Sequence, residues 1–259
     1  MVPPQRGARG ARRLLVPLVQ RIRASPAPAD ALPPDFDEGL VEIATRVRPY
    51  TMTSPDRLAG LVGGVEHILR HELPGAIVEC GVWKGGSMMA AALTLLAHGV
   101  TDRDLYLCDT FTGMSAPTAE DIASDGVGEP APDARTTWGS MQRADGSDWA
   151  RADIAEVRRN LRSTGYPPER LHFVQGKVED TLPQAAPRAI ALLRLDTDWY
   201  ASTAHELEHL YPRLCRGGIL IVDDYGHWSG SRKAVDEYFA PRPPFLHRLD
   251  YTGRLVVKP

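Results

Sequence analysis

Four short apolar segments of this chain close on carboxylates: residues 76–80 on Glu79, 105–108 on Asp109, 190–195 on Asp196, and 219–222 on Asp223 and Asp224. A fifth strand is read at residues 171–174. Segments this short, apolar throughout rather than alternating, suit strands buried on both faces of a parallel sheet. Stretches of helical spacing separate them, and strands alternating with helices give a mostly parallel sheet with helices on both sides. In such a sheet the carboxyl ends of the strands lie along one edge, where ligands bind. The fold therefore gathers onto a single rim acids that are far apart in sequence.

The surrounding punctuation agrees. Ser54, Pro55 and Asp56 open a helix as N-cap, first-turn proline and first-turn acid. Leu58, Leu61, Val62, Val65, Ile68 and Leu69 then recur on one face, and Leu73-Pro74-Gly75 stops the helix. Further helices are expected over 87–97, from Ile154 to the Gly165 cap, over 202–214 with Pro212 disturbing the last turn, and over 232–239. Residues 245–251 and 254–258, joined at Thr252-Gly253, read as a terminal hairpin. The fold class is α/β and Rossmann-like: a mostly parallel seven-stranded sheet with a C-terminal antiparallel hairpin and helices on both faces.

Hydrophobic residues make up 43% of the 259, enough for one full core over residues 35–259 without disulfides or structural zinc. Cys80, Cys108 and Cys215 are odd in number and widely spaced, which fits buried thiols in a reducing cytoplasm. Residues 1–34 read as a basic, Pro-rich, poorly ordered tail. Residues 112–149 are polar and rich in Gly and Pro, and a stretch of this length inside a domain reads as a lid or insert. A net charge of −3 gives no electrostatic case for a nucleic-acid partner. No apolar run approaches the ~20 residues of a membrane helix, so no membrane partner is expected.

The chemistry concentrates in the turns. Between Glu79 and Ser87, glycines at 81, 85 and 86 let the backbone approach a ligand, and a helix N-terminus follows. The spacing is not GxGxxG, which weakens a dinucleotide reading. Asp109 at the end of the next strand can accept both hydroxyls of a ribose. That role would also suit an NAD-dependent oxidoreductase, which would leave Asp196, Asp223 and Asp224 without a task. These three offer hard oxygen ligands suited to Mg²⁺. A bound dication orients a hydroxyl and lowers its pKa, a carboxylate takes the proton, and the site holds the reactants in line. Asp198 reads as support for that site or as the start of the next helix. His227, just beyond Asp224, is close enough to assist as base. Trp138, Trp149, Trp199, Tyr200 and Trp228 would stack on a sugar face or an aromatic ring equally well.

The stretches Val78-Glu79-Cys80-Gly81-Val82-Trp83-Lys84-Gly85-Gly86-Ser87, Asp109-Thr110-Phe111-Thr112-Gly113-Met114, Leu193-Arg194-Leu195-Asp196 and Ile221-Val222-Asp223-Asp224-Tyr225-Gly226 together resemble the macrocin/mycinamicin-type O-methyltransferases. That family includes enzymes that methylate deoxysugars of novobiocin-like and enediyne antibiotics. The likeness runs from about Tyr50 to Phe239. It implies the class I methyltransferase fold, S-adenosylmethionine as donor, Mg²⁺ on Asp196, Asp223 and Asp224, and Asp196 doubling as base. It places Glu79, Gly81, Ser87, Asp109 and Thr110 on the cofactor, Gly176 and Lys177 at the adenine, and Met52 in a segment folded over it. It also implies a homo-oligomer, and as acceptor a hydroxyl of a small molecule, a deoxysugar of a glycosylated secondary metabolite in antibiotic biosynthesis. A phenol or catechol acceptor, or a non-catalytic cofactor-binding protein, are the other readings. The chain departs from the family in a Pro/Arg-rich tail where a helical lead-in to Tyr50 is expected, and in Asp196-Thr197-Asp198-Trp199, where Asp-Gly-Asp and an aliphatic residue or Met are expected. The insert around residues 138–149 is a third departure.

Overall fold

The computed structural model describes residues 32–124 and 133–259. The tail read at 1–34 lies outside the described residues except for its last three, as does the middle of the 112–149 insert. Asp35–Pro259 forms one compact unit. It opens with α1 (Glu38–Val47) and α2 (Pro55–Arg70), followed by β1 (Ala76–Cys80), α3 (Gly86–Ala97) and β2 (Leu105–Asp109). The insert carries α4 (Ala134–Ser140) and a small antiparallel pair, β3 (Gln142–Arg143) and β4 (Gly146–Ser147). Then come α5 (Ile154–Arg162), β5 (Leu171–Gln175), α6 (Val178–Thr181), β6 (Ile190–Leu195) and α7 (Tyr200–Leu210). The chain finishes with β7 (Leu214–Val222), α8 (Ser229–Phe239), β8 (His247–Arg248) and β9 (Arg254–Val257).

Seven strands form the main sheet in the order β5-β2-β1-β6-β7-β9-β8, parallel from β5 to β7 and antiparallel at β9 and β8. This is the expected class I arrangement. Every residue of β1 and β6 is buried, which is why those segments read as continuous apolar runs. One face buries Val78, Leu193, Leu195, Leu220 and Val222 beneath Leu207, Val235 and Phe239 of α7 and α8. On the other face Gly64 lets α2 approach closely, since a β-carbon there would stand 3.2 Å from Leu192. No helix among the described residues is long and apolar enough to cross a membrane.

Four local readings change. Helix α1 lies beyond the tail read at 1–34, in a stretch before Tyr50 where no helix was expected: Asp37 caps it by accepting the Leu40 N–H at 2.8 Å, and Ala44 and Val47 are buried. The proline-rich composition stops at Pro34, so the lead-in to Tyr50 is helical after all. Pro212 ends α7 at Leu210 by converting 211–213 into a 3₁₀ turn, which lets β7 begin at Leu214, before the Gly217-Gly218 pair. The insert has the short elements given above. The hairpin is shorter than read, its first strand reduced to two residues.

Gly81 joins the two central strands. Its φ is +82°, and a β-carbon would lie 1.9 Å from the Asp196 carbonyl oxygen. Neither backbone can retreat, because Gly81 N–H donates to Cys108 O (2.9 Å) and Asp196 N–H to Cys80 O (2.8 Å). Gly81→Ala is therefore expected to cost about 3 kcal/mol and to lower Tm by roughly 5–10 °C in thermal unfolding by circular dichroism. An unchanged Tm would show that this junction can relax.

Candidate active site

From β1 the sheet grows one way to β2 and the other way to β6, so the carboxyl ends of these strands flank the point where strand order reverses, the ligand crevice of open α/β sheets. A cavity opens there. Its walls include Gly81, Gly86 and Ser87 of the glycine turn, the Thr51–Met52–Thr53 segment, and Asp196, Asp198 and Asp224. A second cavity, lined by Thr110, Gly176, Lys177 and Ser202, shares Gly81, Asp109, Met114 and Asp196 with the first. Together they make one trough along the rim. Its first part meets the glycine turn and its second meets the loop after β5. Met52 is 64% exposed where it lines the trough.

The acids divide into two sets. Side-chain oxygens of Asp196, Asp198 and Asp224 all lie within 4.8 Å of one another. The expected set was Asp196, Asp223 and Asp224; the structure brings Asp198 together with Asp196 and Asp224, and Asp223 lines the same cavity beside them. Asp223 accepts from Arg194 Nη2 at 2.6 Å and pairs with Arg57. Asp198 reaches the group because its backbone is left-handed, φ +64°. Trp83 (+45°) and Ala150 (+49°), which also line the cavity, share that uncommon conformation. Such backbone strain collects at functional sites.

Desolvation pushes the Asp198 carboxyl up to about 7, with the charge of Asp196 adding to it. Asp224 is also held well above the carboxylate range, by burial first and then by Asp198 and Asp196. Three converging carboxyl groups, two of them raised by burial and by one another's charge, are of the type that suits a hard divalent cation. The stability consequence has a definite sign. A carboxyl at about 7 in the folded chain and near 4 in the unfolded chain binds more protons when folded. Stability without metal should therefore fall as pH rises from about 4 to 7. Addition of Mg²⁺ should displace the proton and flatten that decline. Thermal unfolding between pH 5 and 8 with and without Mg²⁺ checks both, and a Tm of the metal-free protein that rises across this window would contradict them.

Arg194 is the residue that sequence reasoning left without a role. It lies in a fully buried strand, its side chain 3% exposed. Nη1 donates to Glu79 Oε1 (2.7 Å) and Asp196 Oδ2 (2.6 Å), and Nη2 to Asp223 Oδ1 (2.6 Å) and Thr53 Oγ1 (3.0 Å). A cation in an otherwise apolar strand requires paired acids, and that signal was available at Leu193-Arg194-Leu195. Glu79 is pushed up to about 8 by burial against the opposing pull of Arg194. Its Oε2 is buried without a hydrogen-bond partner.

Asp109 serves the turn as well as the trough. Oδ2 accepts the N–H groups of Val82 (2.6 Å) and Trp83 (3.2 Å), and Oδ1 that of Phe111 (2.7 Å). Burial raises its pKa while these three amides oppose the rise. His227 lies outside both linings; its Nδ1 hydrogen-bonds the Tyr251 hydroxyl, and burial and Arg57 lower its pKa. Trp149, Trp199 and Trp228 pack on one another with ring centroids 4.9–6.1 Å apart, which makes them a clamp for the insert rather than an open stacking platform. Trp199 Nε1 donates to Ser115 O (3.0 Å) and Trp138 Nε1 to Met114 O (2.9 Å). They thereby fix the stretch that carries Met114 to the trough.

A glycine turn, a trough over the strand reversal and an acidic triad at its end are joined by a direct comparison. Residues 44–253 match the family model described as macrocin-O-methyltransferase. The chain belongs to that family. Its members are S-adenosylmethionine-dependent O-methyltransferases, and the oxidoreductase reading falls with the match. The chain is similar to demethyldecarbamoylnovobiocin O-methyltransferase of Streptomyces niveus, 36% identical over 191 residues, covering 74% of this chain and 68% of the relative. It is similar to the mycinamicin III 3''-O-methyltransferase of Micromonospora griseorubida, 35% identical over 189 residues, covering 73% and 70%. A 4'-O-methyltransferase of Streptomyces olivaceus, named for a dimethoxy-rhamnosyl tetracenomycin, is 35% identical over 205 residues, covering 79% and 73%. Among solved structures the O-methyltransferase NovP superposes with a TM-score of 0.69 at 32% identity, covering 81% of this chain and 82% of NovP.

Proposed function

We propose that this macrocin-family chain transfers the methyl group of S-adenosylmethionine to a sugar hydroxyl of a glycosylated natural product, with a divalent cation held by Asp196, Asp198 and Asp224. The observation that carries the metal reading is the convergence of those three carboxylates at the end of the trough. The acceptor class rests on the relatives, one of which is named for a rhamnosyl group. Bound S-adenosylmethionine supplies an electrophilic methyl group, and a bound dication supplies the Lewis acidity that brings a hydroxyl within reach of a carboxylate base.

The chain's own residues then have separable tasks. The glycine turn and Ser87, at the start of α3, receive the amino-acid end of the donor, and Gly176 and Lys177 receive its adenine. Asp109 holds the turn closed by three amide hydrogen bonds and faces the ribose between them. Asp196 accepts the hydroxyl proton: Arg194 fixes its Oδ2 at 2.6 Å, which leaves Oδ1 for the acceptor side. Met114 borders both cavities and Met52 the first.

Calorimetric titration with S-adenosylhomocysteine, with and without MgCl₂, tests the donor half of the proposal. Binding near micromolar affinity is expected. Absence of heat in both conditions, from protein with a cooperative thermal transition, would overturn it.

A further inference from the structure

Four elements meet at one guanidinium. Through Nη1 Arg194 bonds Glu79, in the strand before the glycine turn, and Asp196, in the acidic triad. Through Nη2 it bonds Asp223, in the strand end that also supplies Asp224, and Thr53, in the segment over the cavity. Thr53 Oγ1 lies 3.4 Å from Ser87 Oγ, the first-turn hydroxyl of α3. Of these partners Asp196 belongs to the acidic group, Thr53 and Asp223 line the cavity beside it, and Glu79 lies buried just before the glycine turn. Arg194, Glu79, Asp223 and Thr53 are buried, at 2%, 1%, 2% and 4% exposed, and Asp196 alone among the partners reaches toward solvent, its side chain 28% exposed.

We propose that Arg194 couples the two ligand sites, so that each ligand tightens the other. This rests on the functional reading above and adds a residue to it. The physical reason is competition for one cation. Without metal, Nη1 divides its charge between Glu79 Oε1 and Asp196 Oδ2. Asp196, Asp198 and Asp224 would hold the dication, and the Asp196 charge would then be shared with it rather than given to Arg194 alone. Arg194 then turns its full field on Glu79 and holds Thr53 more firmly, which orders the segment over the trough before the donor arrives. Buried charged hydrogen-bond networks respond as units in this way. Linkage requires the reverse effect to have the same size: a donor that orders Thr53 and Ser87 stiffens Arg194 and presents Asp196 ready for metal. Arg194 is a positioning residue in this scheme, because its four bonds are all to protein groups. Arg57, which pairs with Asp223 and Asp250 but with neither Glu79 nor Asp196, has no comparable position.

The test is a four-cornered calorimetric titration: S-adenosylhomocysteine with and without saturating Mg²⁺, and Mg²⁺ with and without saturating S-adenosylhomocysteine. For the full-length wild type the Kd of each ligand is expected to tighten about five-fold or more when the other is present, by the same factor in both directions. Two variants then decide the residue. Arg194→Lys keeps the charge and loses the fork that reaches two acids at once. Thr53→Val removes one bond and leaves every charge in place. Each should still bind both ligands separately, with a coupling factor falling toward one. A residue that only supports the fold would change Tm or both affinities and leave the factor intact. Coupling of one in the wild type, or a full factor in Thr53→Val and in Arg194→Lys, overturns the proposal. Should Arg194→Lys lack a cooperative thermal transition, Thr53→Val decides alone. Failure of the wild type to bind S-adenosylhomocysteine at all would overturn the donor reading and this coupling with it. Binding of both ligands without coupling would overturn only the coupling.

Discussion

Asp196→Asn is expected to lower kcat/KM by at least about 10³-fold. Loss of a general base costs 10²–10⁴-fold by itself, and this carboxylate is also one of the three oxygens grouped at the end of the trough. The substitution keeps the side chain's volume, and Arg194 retains two other acids at 2.6–2.7 Å, so the fold should survive with a Tm within a few degrees of wild type. Initial rates of methyl transfer, measured on protein whose thermal transition is intact, give the comparison. A loss under ten-fold would move the base elsewhere. Asp198, pushed up to about 7, is the next group in reach of the same acceptor. His227, tied to Tyr251 outside the trough lining, is poorly placed for it.

Removal of divalent cations is the second large effect. Dialysis against EDTA should reduce the rate at least about 10²-fold, with recovery on adding Mg²⁺, because Lewis-acid assistance supplies several kcal/mol to hydroxyl activation. The two adjacent strand-end acids should separate cleanly under this assay. Asp224→Asn removes a member of the triad and should raise the Mg²⁺ concentration needed for half-maximal rate. Asp223→Asn leaves the triad whole but strips a shared partner from Arg194 and Arg57. Breaking a buried ion pair on one side costs about 3–5 kcal/mol, so its main signature should be a lowered Tm. Equal metal requirements in the two variants would contradict the division of the acids. Wild-type rates that survive EDTA would remove the metal from the scheme.

Periodicity and turn chemistry carried the fold a long way. The strand ends at Glu79, Asp109, Asp196 and Asp223 were legible because buried parallel strands are short apolar runs, and the sheet geometry alone places their ends together. What stayed hidden depends on side-chain direction and on contacts between distant segments. Asp198 joins Asp196 and Asp224 through a left-handed backbone, which aspartate tolerates better than most residues but which its neighbours in sequence do not specify. Asp223 stands beside Asp224 at the cavity, but its partners Arg194 and Arg57 come from segments that local sequence does not link to it. Arg194 was visible as a charge inside an apolar run, but its four partners come from four separate segments. The tryptophans looked like a surface for stacking an acceptor, and only the tertiary structure shows them satisfied by one another. Helix α1 was missed because the proline-rich stretch before it dominated the reading, although Asp37 and the Ala44 and Val47 positions mark a short amphipathic helix.

The most direct measurement is transfer of an isotopically labelled methyl group from S-adenosylmethionine to two acceptor panels, rhamnosylated natural products and simple catechols, each with Mg²⁺ and with EDTA. Mg²⁺-dependent label on a sugar oxygen, located by mass spectrometry after release of the sugar, is the expected result. Label on catechol oxygens alone, or transfer to sugars that is indifferent to EDTA, would contradict it.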